Sequence, residues 1–231
     1  MWVLFAGLAA LGVLYAARSA SGSPRESRGV VRVAGMSPVR LDAVCVTKGS
    51  MHNGIVDIPT FRAVALGTSG EAASIDFIYQ GHSTTSRALA SGQVRRQIGL
   101  KLRAANGCNL VYVMWRLDPR PQIEASVKIN PGSRTHAECG AQGYTKLGHA
   151  AAPMMIEGKR HTLQAEISND ELLAWIDGQL VWRGQLPDEA RSISGPSGFR
   201  SDNVSYTIVA ISAPVGQTGA AVPRCVSDGE D

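Results

Sequence analysis

Between residues 40 and 213 the chain alternates apolar and polar residues in short runs, with Gly, Pro, Asn and Asp between the runs. A period of two rather than 3.6 marks strands that bury one face. The runs predict ten strands, over 40–46, 61–66, 73–79, 94–103, 110–117, 122–129, 161–167, 172–177, 179–183 and 204–213. No internal repeat accompanies them, which argues against a propeller or a solenoid. Ten strands at this spacing predict an all-β fold, a two-sheet antiparallel β-sandwich.

Two hairpins allow parity to be read. In the run 172–183, Asp177-Gly178 is a strong signal for a two-residue type I′ turn. Pairing Ile176 with Gln179 sets Trp175 opposite Leu180 and Leu173 opposite Trp182. The four large residues then share one face, and cross-strand aromatic and aliphatic pairs of this kind belong in a core. The second hairpin flanks the turn Asp118-Pro119-Arg120-Pro121. Pairing Arg116 with Gln122 gathers Val111, Val113, Trp115, Ile123, Ala125 and Val127 on an apolar face. The other face carries Tyr112, Met114, Arg116, Gln122, Glu124, Ser126 and Lys128. Such a face is either an ordinary solvated surface or a sugar-binding one. In the second case Tyr112 stacks on a pyranose, while Arg116, Glu124 and Lys128 hydrogen-bond hydroxyls.

The N-terminus follows different rules. Residues 1–17 carry no charged side chain, and Arg18 ends the run. At about 1.5 Å per residue, a helix of this length falls just short of a hydrocarbon core of about 30 Å. Residues 1–18 are expected to form an apolar helix, either a signal peptide or a membrane anchor. The arginines at 18, 25, 28 and 32 favour a cytoplasmic body by the positive-inside rule, which conflicts with export. Residues 19–35, rich in Ser, Gly, Pro and Arg, read as a flexible linker. The sandwich then spans 36–213, and 214–231 reads as a tail.

The cysteines bear on the compartment. Cys45, Cys108, Cys139 and Cys225 form no C-x-x-C pair and have no histidine at finger spacing, so a zinc site is not expected. The even count and wide spacing fit two disulfides in an oxidising compartment, with four buried thiols as the alternative. Cys108 with Cys139, both near polar loop residues, and Cys45 with Cys225, tying the ends of the domain, are the expected bridges. They favour a secreted or extracytoplasmic protein.

Composition adds limits. The net charge of +4 raises the question of nucleic acid, but the basic residues are scattered along the chain. No Lys/Arg-rich run and no ladder of aromatics occurs, so nucleic acid is not an expected partner. The apolar fraction of 44% supports a packed core. Walker-type loops, dinucleotide fingerprints and EF-hands are missing from the sequence. The five histidines are dispersed, and Ser and His around His82 are neighbours in a loop, an unsuitable setting for a nucleophile and its base. No cofactor is expected. Asp118, Asp202 and Asn203 are candidate calcium ligands, with exposed turns as the simpler reading. Asn203-Val204-Ser205 is a glycosylation sequon.

The segment 157–184 followed by 194–213 resembles the C-terminal half of concanavalin A-like lectin/glucanase domains, laminin G-like modules included. The matching positions are His161-Thr162-Leu163, Asp177-Gly178, Gly198-Phe199-Arg200 and the alternating strand from Val204 to Ile211. The resemblance covers roughly residues 73–212. It implies a jelly roll of two antiparallel sheets, one of which commonly binds carbohydrate, with His161 a structural residue.

An active site does not come with it. Bacterial β-glucanases of this fold carry Glu-x-Asp-x-x-Glu on one strand, a spacing that serves a retaining mechanism with carboxylates about 5–5.5 Å apart. This sequence has no such triplet. Glu71 and Asp76 are five apart, hence on opposite faces of a strand, and Glu166, Asp170 and Glu171 straddle a turn. A pairing such as Glu124 with Glu138 would have to be assembled by the fold. The expected function is therefore an exported carbohydrate-binding or adhesion sandwich, bound to a cell-surface glycan and held at a membrane through residues 1–17 if these are retained. The alternatives are a glycan-active enzyme, a glycoside hydrolase or lyase on the same fold, and a structural envelope protein that binds other proteins.

Overall fold

The computed structural model describes residues 35–89, 91–216 and 225. The expected N-terminal helix and nearly all of the linker lie outside the described residues. Among the described residues no helix is long and apolar enough to cross a membrane.

The fold is all-β. Its elements are β1 (Met36–Pro38), β2 (Val44–Lys48), β3 (Ile55–Ala65), β4 (Ala72–His82), β5 (Gln97–Asn106), β6 (Asn109–Arg116) and β7 (Gln122–Lys128). A one-turn helix α1 (His136–Cys139) follows, then β8 (Tyr144–Ala151), β9 (Arg160–Ser168), β10 (Glu171–Ile176), β11 (Gln179–Gln185) and β12 (Gly198–Pro214). Each of the ten predicted runs overlaps a strand, but in the first, 40–46, Leu41–Ala43 form a turn of 3-10 helix and only Val44 to Val46 lie in β2. The short edge strand β1, α1 and β8 were not anticipated.

Every pairing is antiparallel, and the hydrogen-bonded order is β11-β10-β9-β4-β12-β5-β6-β7-β8. The long strand β12 belongs to two halves of this ladder. Its first residues, Gly198 to Asp202, pair with β5, and its later residues, Val204 to Ser212, pair with β4. On its other side β12 pairs along its length with β3, with Asp202 opposite Thr60 and Val204 opposite Ile58. Between these pairs Asn203 adopts a positive φ of 54° opposite Pro59, where no N–H is available for the ladder. Asparagine tolerates this left-handed geometry better than most residues. The change of partner along β12, from β5 to β4, is consistent with the two-layer sandwich that the periodicity predicts.

The layers meet in one apolar core. Phe77 of β4 packs edge-on against Trp115 of β6 and Tyr206 of β12, with ring centroids 6.2 and 5.9 Å apart. Val111, Val113, Trp115, Ile123, Ala125 and Val127 are all fully buried in this cluster, and Arg116 pairs with Gln122. The second hairpin therefore has the register and the core face expected of it. His161 sits at the core margin, its Nδ1 2.9 Å from Asp177 Oδ2 and its Nε2 accepting the Ile156 N–H at 3.0 Å. This is a structural role, as the resemblance implies.

The first hairpin departs from expectation. Asp177 and Gly178 both take positive φ, as a type I′ turn requires, and Ile176 faces Gln179 with Trp175 facing Leu180. A bulge then leaves Val181 without a partner, so Trp182 faces Ala174 and Leu173 faces Arg183. The extra residue reverses parity along β11. Trp182 enters the core with Leu172, Ala174 and Ile176. Trp175 and Leu173 are half-buried on the outer face, and Leu180 is exposed. The expectation that both tryptophans share a core face is corrected.

Both expected disulfides are present, Cys45–Cys225 and Cys108–Cys139. The tail is tied down as well: Val215 bridges Thr68, and Gly216 donates to the Gly67 carbonyl at 2.9 Å. Domain-end closure thus continues past 213. The two bridges favour an oxidising environment.

Candidate functional site

Cross-strand register builds the site on the outer face of the layer formed by β2, β3, β12, β5, β6, β7 and β8. Directly paired residues share a face. One row across the strands runs Lys48, Arg62, Arg200, Gly99, Met114, Glu124. The next runs Thr60, Asp202, Gln97, Arg116, Gln122. A third holds Gly198, Lys101, Tyr112, Ser126 and Lys146. The same alternation that sends Val113 and Trp115 inward therefore sends Tyr112, Met114 and Arg116 outward onto a face crossed by charged residues.

A pocket of about 390 Å³ lies over these rows. Its floor is Tyr112, Met114, Gln97, Arg116 and Ser126, and Glu124, Tyr144 and Lys146 form one side. Gly99 gives Met114 its place in the floor, because a Cβ there would lie 2.2 Å from the Met114 sulfur. The opposite wall comes from the segment between β4 and β5, including Arg87, Leu89 and Arg95. Asn203 holds that segment in place. Its amide donates to the carbonyls of Arg87 and Arg95, both at 2.9 Å, and accepts the Arg87 N–H at 2.7 Å. The sequon asparagine is thus buried and fully engaged, and is not an acceptor for a glycan in the folded protein.

Beneath the pocket runs a charged network. Arg62 Nη2 donates to Asp202 Oδ1 at 2.8 Å, Gln97 Nε2 to Asp202 Oδ2 at 2.6 Å and Arg200 Nε to the same oxygen at 3.1 Å. Gln97 Oε1 accepts from Arg116 Nε at 3.1 Å, and Arg116 pairs in turn with Glu124. Burial alone would raise the Asp202 pKa, but Arg200, Arg62 and the Gln97 amide outweigh it and hold the carboxyl down at about 2. Burial likewise works against the charge of Arg200, and Asp202 beside it reverses the balance, so its pKa is raised. For Arg116 burial prevails over the attraction of Glu124, and its pKa is lowered.

The aromatic pair has a division of labour. Tyr112 and Tyr144 stack at 6.0 Å with planes 21° apart, and the Arg200 guanidinium lies 5.2 Å from the Tyr112 centroid. Tyr112 is only 5% exposed, held between these neighbours, whereas Tyr144 is 41% exposed. The ring open to a ligand is therefore Tyr144.

Of the four residues expected to bind sugar, Tyr112, Arg116 and Glu124 line the pocket together. Lys128 is fully buried and stands outside the wall: its Nζ donates to the Gly107 and Gly140 carbonyls at 3.1 and 2.9 Å and lies 5.0 Å from the Tyr144 centroid. It joins the two loops that Cys108–Cys139 also links, and it supports Tyr144 from behind. The candidate calcium ligands are used otherwise. Asp118 pairs with Arg96, Asp202 with Arg62 and Arg200, and Asn203 with the pocket wall. No cluster of three or more metal-ligating side chains occurs among the described residues. Glu138 accepts the N–H groups of Arg134 and Thr135 and caps α1. It is not among the lining residues, so no carboxylate pair with Glu124 forms in the wall.

Sequence reasoning missed most of the cations in the wall: Lys48, Arg62, Arg87, Arg95, Lys146 and Arg200. The usable signal was parity. Arg62 and Arg200 interrupt apolar strands at positions where alternation calls for an outward residue. Tyr144 and Lys146 had no such signal, because β8 was not recognised.

No family model and no curated protein matches the sequence. Solved structures with a similar course of chain include a carbohydrate-binding module, CBM66, from Bacillus subtilis, at 11% identity over 75% of this chain and 93% of that one, with a TM-score of 0.49. A Crh5 transglycosylase in complex with NAG aligns at 13% identity over 80% and 85%, with a TM-score of 0.47. Sheep galectin-11 in complex with glycerol aligns at 10% identity over 70% and 98%, with a TM-score of 0.40.

Proposed function

We propose that this protein is an exported glycan-binding module, with its ligand seated in the pocket over β5 to β8. The observation that carries the reading is the exposed Tyr144 ring, backed by Tyr112, in the same pocket as the Arg116–Glu124 pair. A pyranose offers an apolar face for such a ring, and its hydroxyls are recognised by charged donors and acceptors held in fixed positions. A pocket of about 390 Å³ falls within the usual size range of small-ligand sites, roughly 300–1,000 Å³. Tyr144 stacks on the ring, Arg116 and Glu124 bind hydroxyls, and Tyr112 with Lys128 keeps Tyr144 in place.

The two disulfides support export. Among the described residues Glu124 is the one carboxylate in the wall, and a two-carboxylate hydrolytic mechanism needs a second. The test combines a glycan array with a reducing-sugar release assay. Retention on defined glycans without release of sugar is the expected result. Release of product would move the assignment to an enzyme, and a stable protein partner with no glycan retained would move it to an assembly role.

A further inference from the structure

The pocket wall concentrates positive charge. Seven cationic side chains line it, Lys48, Arg62, Arg87, Arg95, Arg116, Lys146 and Arg200. Against them stand Glu124 in the wall and Asp202 beneath it. The excess of five exceeds the +4 of the whole chain, so the remainder of the protein is close to neutral. Residues scattered in sequence are gathered by register onto one small surface.

These cations suit an anion rather than bulk water. Arg116 and the Arg200 side chain are largely buried, in a site where charge interactions are screened less than at an open surface. A guanidinium has five N–H donors. Arg200 donates through Nε to Asp202, and Arg116 donates through Nε to Gln97 and through Nη2 to Glu124. Arg87 and Lys146 add exposed charge at the rim. A planar fork with donors to spare is the geometry that recognises carboxylate or sulfate oxygens.

Building on the glycan reading above, we infer that the ligand is an acidic saccharide, one whose ring carries a carboxylate or a sulfate ester beside the face that Tyr144 covers. A nucleic acid fits less well. Its phosphates are spread over an interface of roughly 600–1,000 Å² or more even for a single module, whereas these cations surround one bounded depression with a single exposed ring.

The full chain is titrated with an oligogalacturonate and its carboxyl-reduced form, and separately with dextran sulfate and dextran. A charge-assisted pair predicts that an acidic form binds at least about tenfold tighter than its neutral parent, with a difference that shrinks as salt rises. Whichever pair shows the gain identifies the acid group. Lys146→Gln and Arg87→Gln change exposed residues of the wall and keep the fold; each is expected to weaken the acidic ligand several-fold and by clearly more than the neutral one, so that the acidic-to-neutral preference falls. Equal affinity for acidic and neutral forms overturns the acidic ligand but not the glycan reading. No retention of any glycan, neutral ones on the array included, overturns both. Tighter binding of a single-stranded oligodeoxythymidylate, weakened by the same two substitutions, overturns both in favour of nucleic acid.

Discussion

Arg62 and Asp202 face each other at 2.8 Å with both side chains sealed from solvent. The pair joins the second half of β3 to the end of the first half of β12, with Arg62 in the pocket lining and Asp202 beneath it. Its partners are Gln97 and Arg200, so the ion pair is also the base on which Arg116 and the floor rest.

Removing one member of such a network leaves buried charge without compensation. Asp202→Asn is expected to destabilise the protein by about 3–5 kcal/mol, because two arginines lose their counter-charge. Urea unfolding followed by tryptophan fluorescence measures this. A loss below about 1 kcal/mol would mean that the network contributes as little as an exposed pair.

The same carboxylate sets an acid limit. Its folded pKa of about 2 lies below the 3.8 of an unperturbed aspartate. A depressed pKa contributes stability that is complete above the unfolded value and is lost as pH falls through the folded one. Melting temperature should therefore hold near neutrality and drop between about pH 4 and pH 2. In Asp202→Asn that drop should be smaller. Parallel acid profiles for the two proteins would show the coupling to be absent.

The two tryptophans of the β10–β11 hairpin are expected to differ. Trp182→Ala opens a cavity in the core and should cost about 3–5 kcal/mol. Trp175→Ala acts on the half-buried outer face and should cost clearly less. Denaturant midpoints of the two variants decide the matter. Equal losses would place both rings in the core.

Cys108–Cys139 closes a span of 31 residues that contains the β6–β7 hairpin and α1. In the loop-entropy view, replacing both cysteines by serine should cost about 3–4 kcal/mol. Intact mass without reduction should lie about four hydrogen atoms below that of the fully reduced chain, two for each bridge. Four thiols that alkylate in the native protein would contradict both bridges.

What could be read in advance follows from how far each signal reaches. Alternation located ten of the twelve strands among the described residues, and a turn of known length fixed the β6–β7 register, so Tyr112, Arg116 and Glu124 were placed on the correct face. The same method failed at β10–β11, because Leu172 to Trp175 are apolar in both parities and one bulged residue, Val181, reverses the outcome. Tyr144 and Lys146 were hidden because β8 is a largely exposed edge strand with no clean alternation. The basic wall was not legible at all. Lys48, Arg62, Arg116 and Arg200 are far apart in sequence, and only the pairing of β2, β3, β12, β5 and β6 brings them together.

The central claim is that Tyr144 is the ring on which a sugar stacks, and its exposure separates binding from folding. Calorimetric titration of Tyr144→Ala with a glycan retained by the wild type, paired with a melting curve, tests it most directly. The account predicts a loss of at least about tenfold in affinity, the scale of one stacking contact, with a melting temperature close to that of the wild type. Unchanged affinity in a protein that remains folded would contradict it.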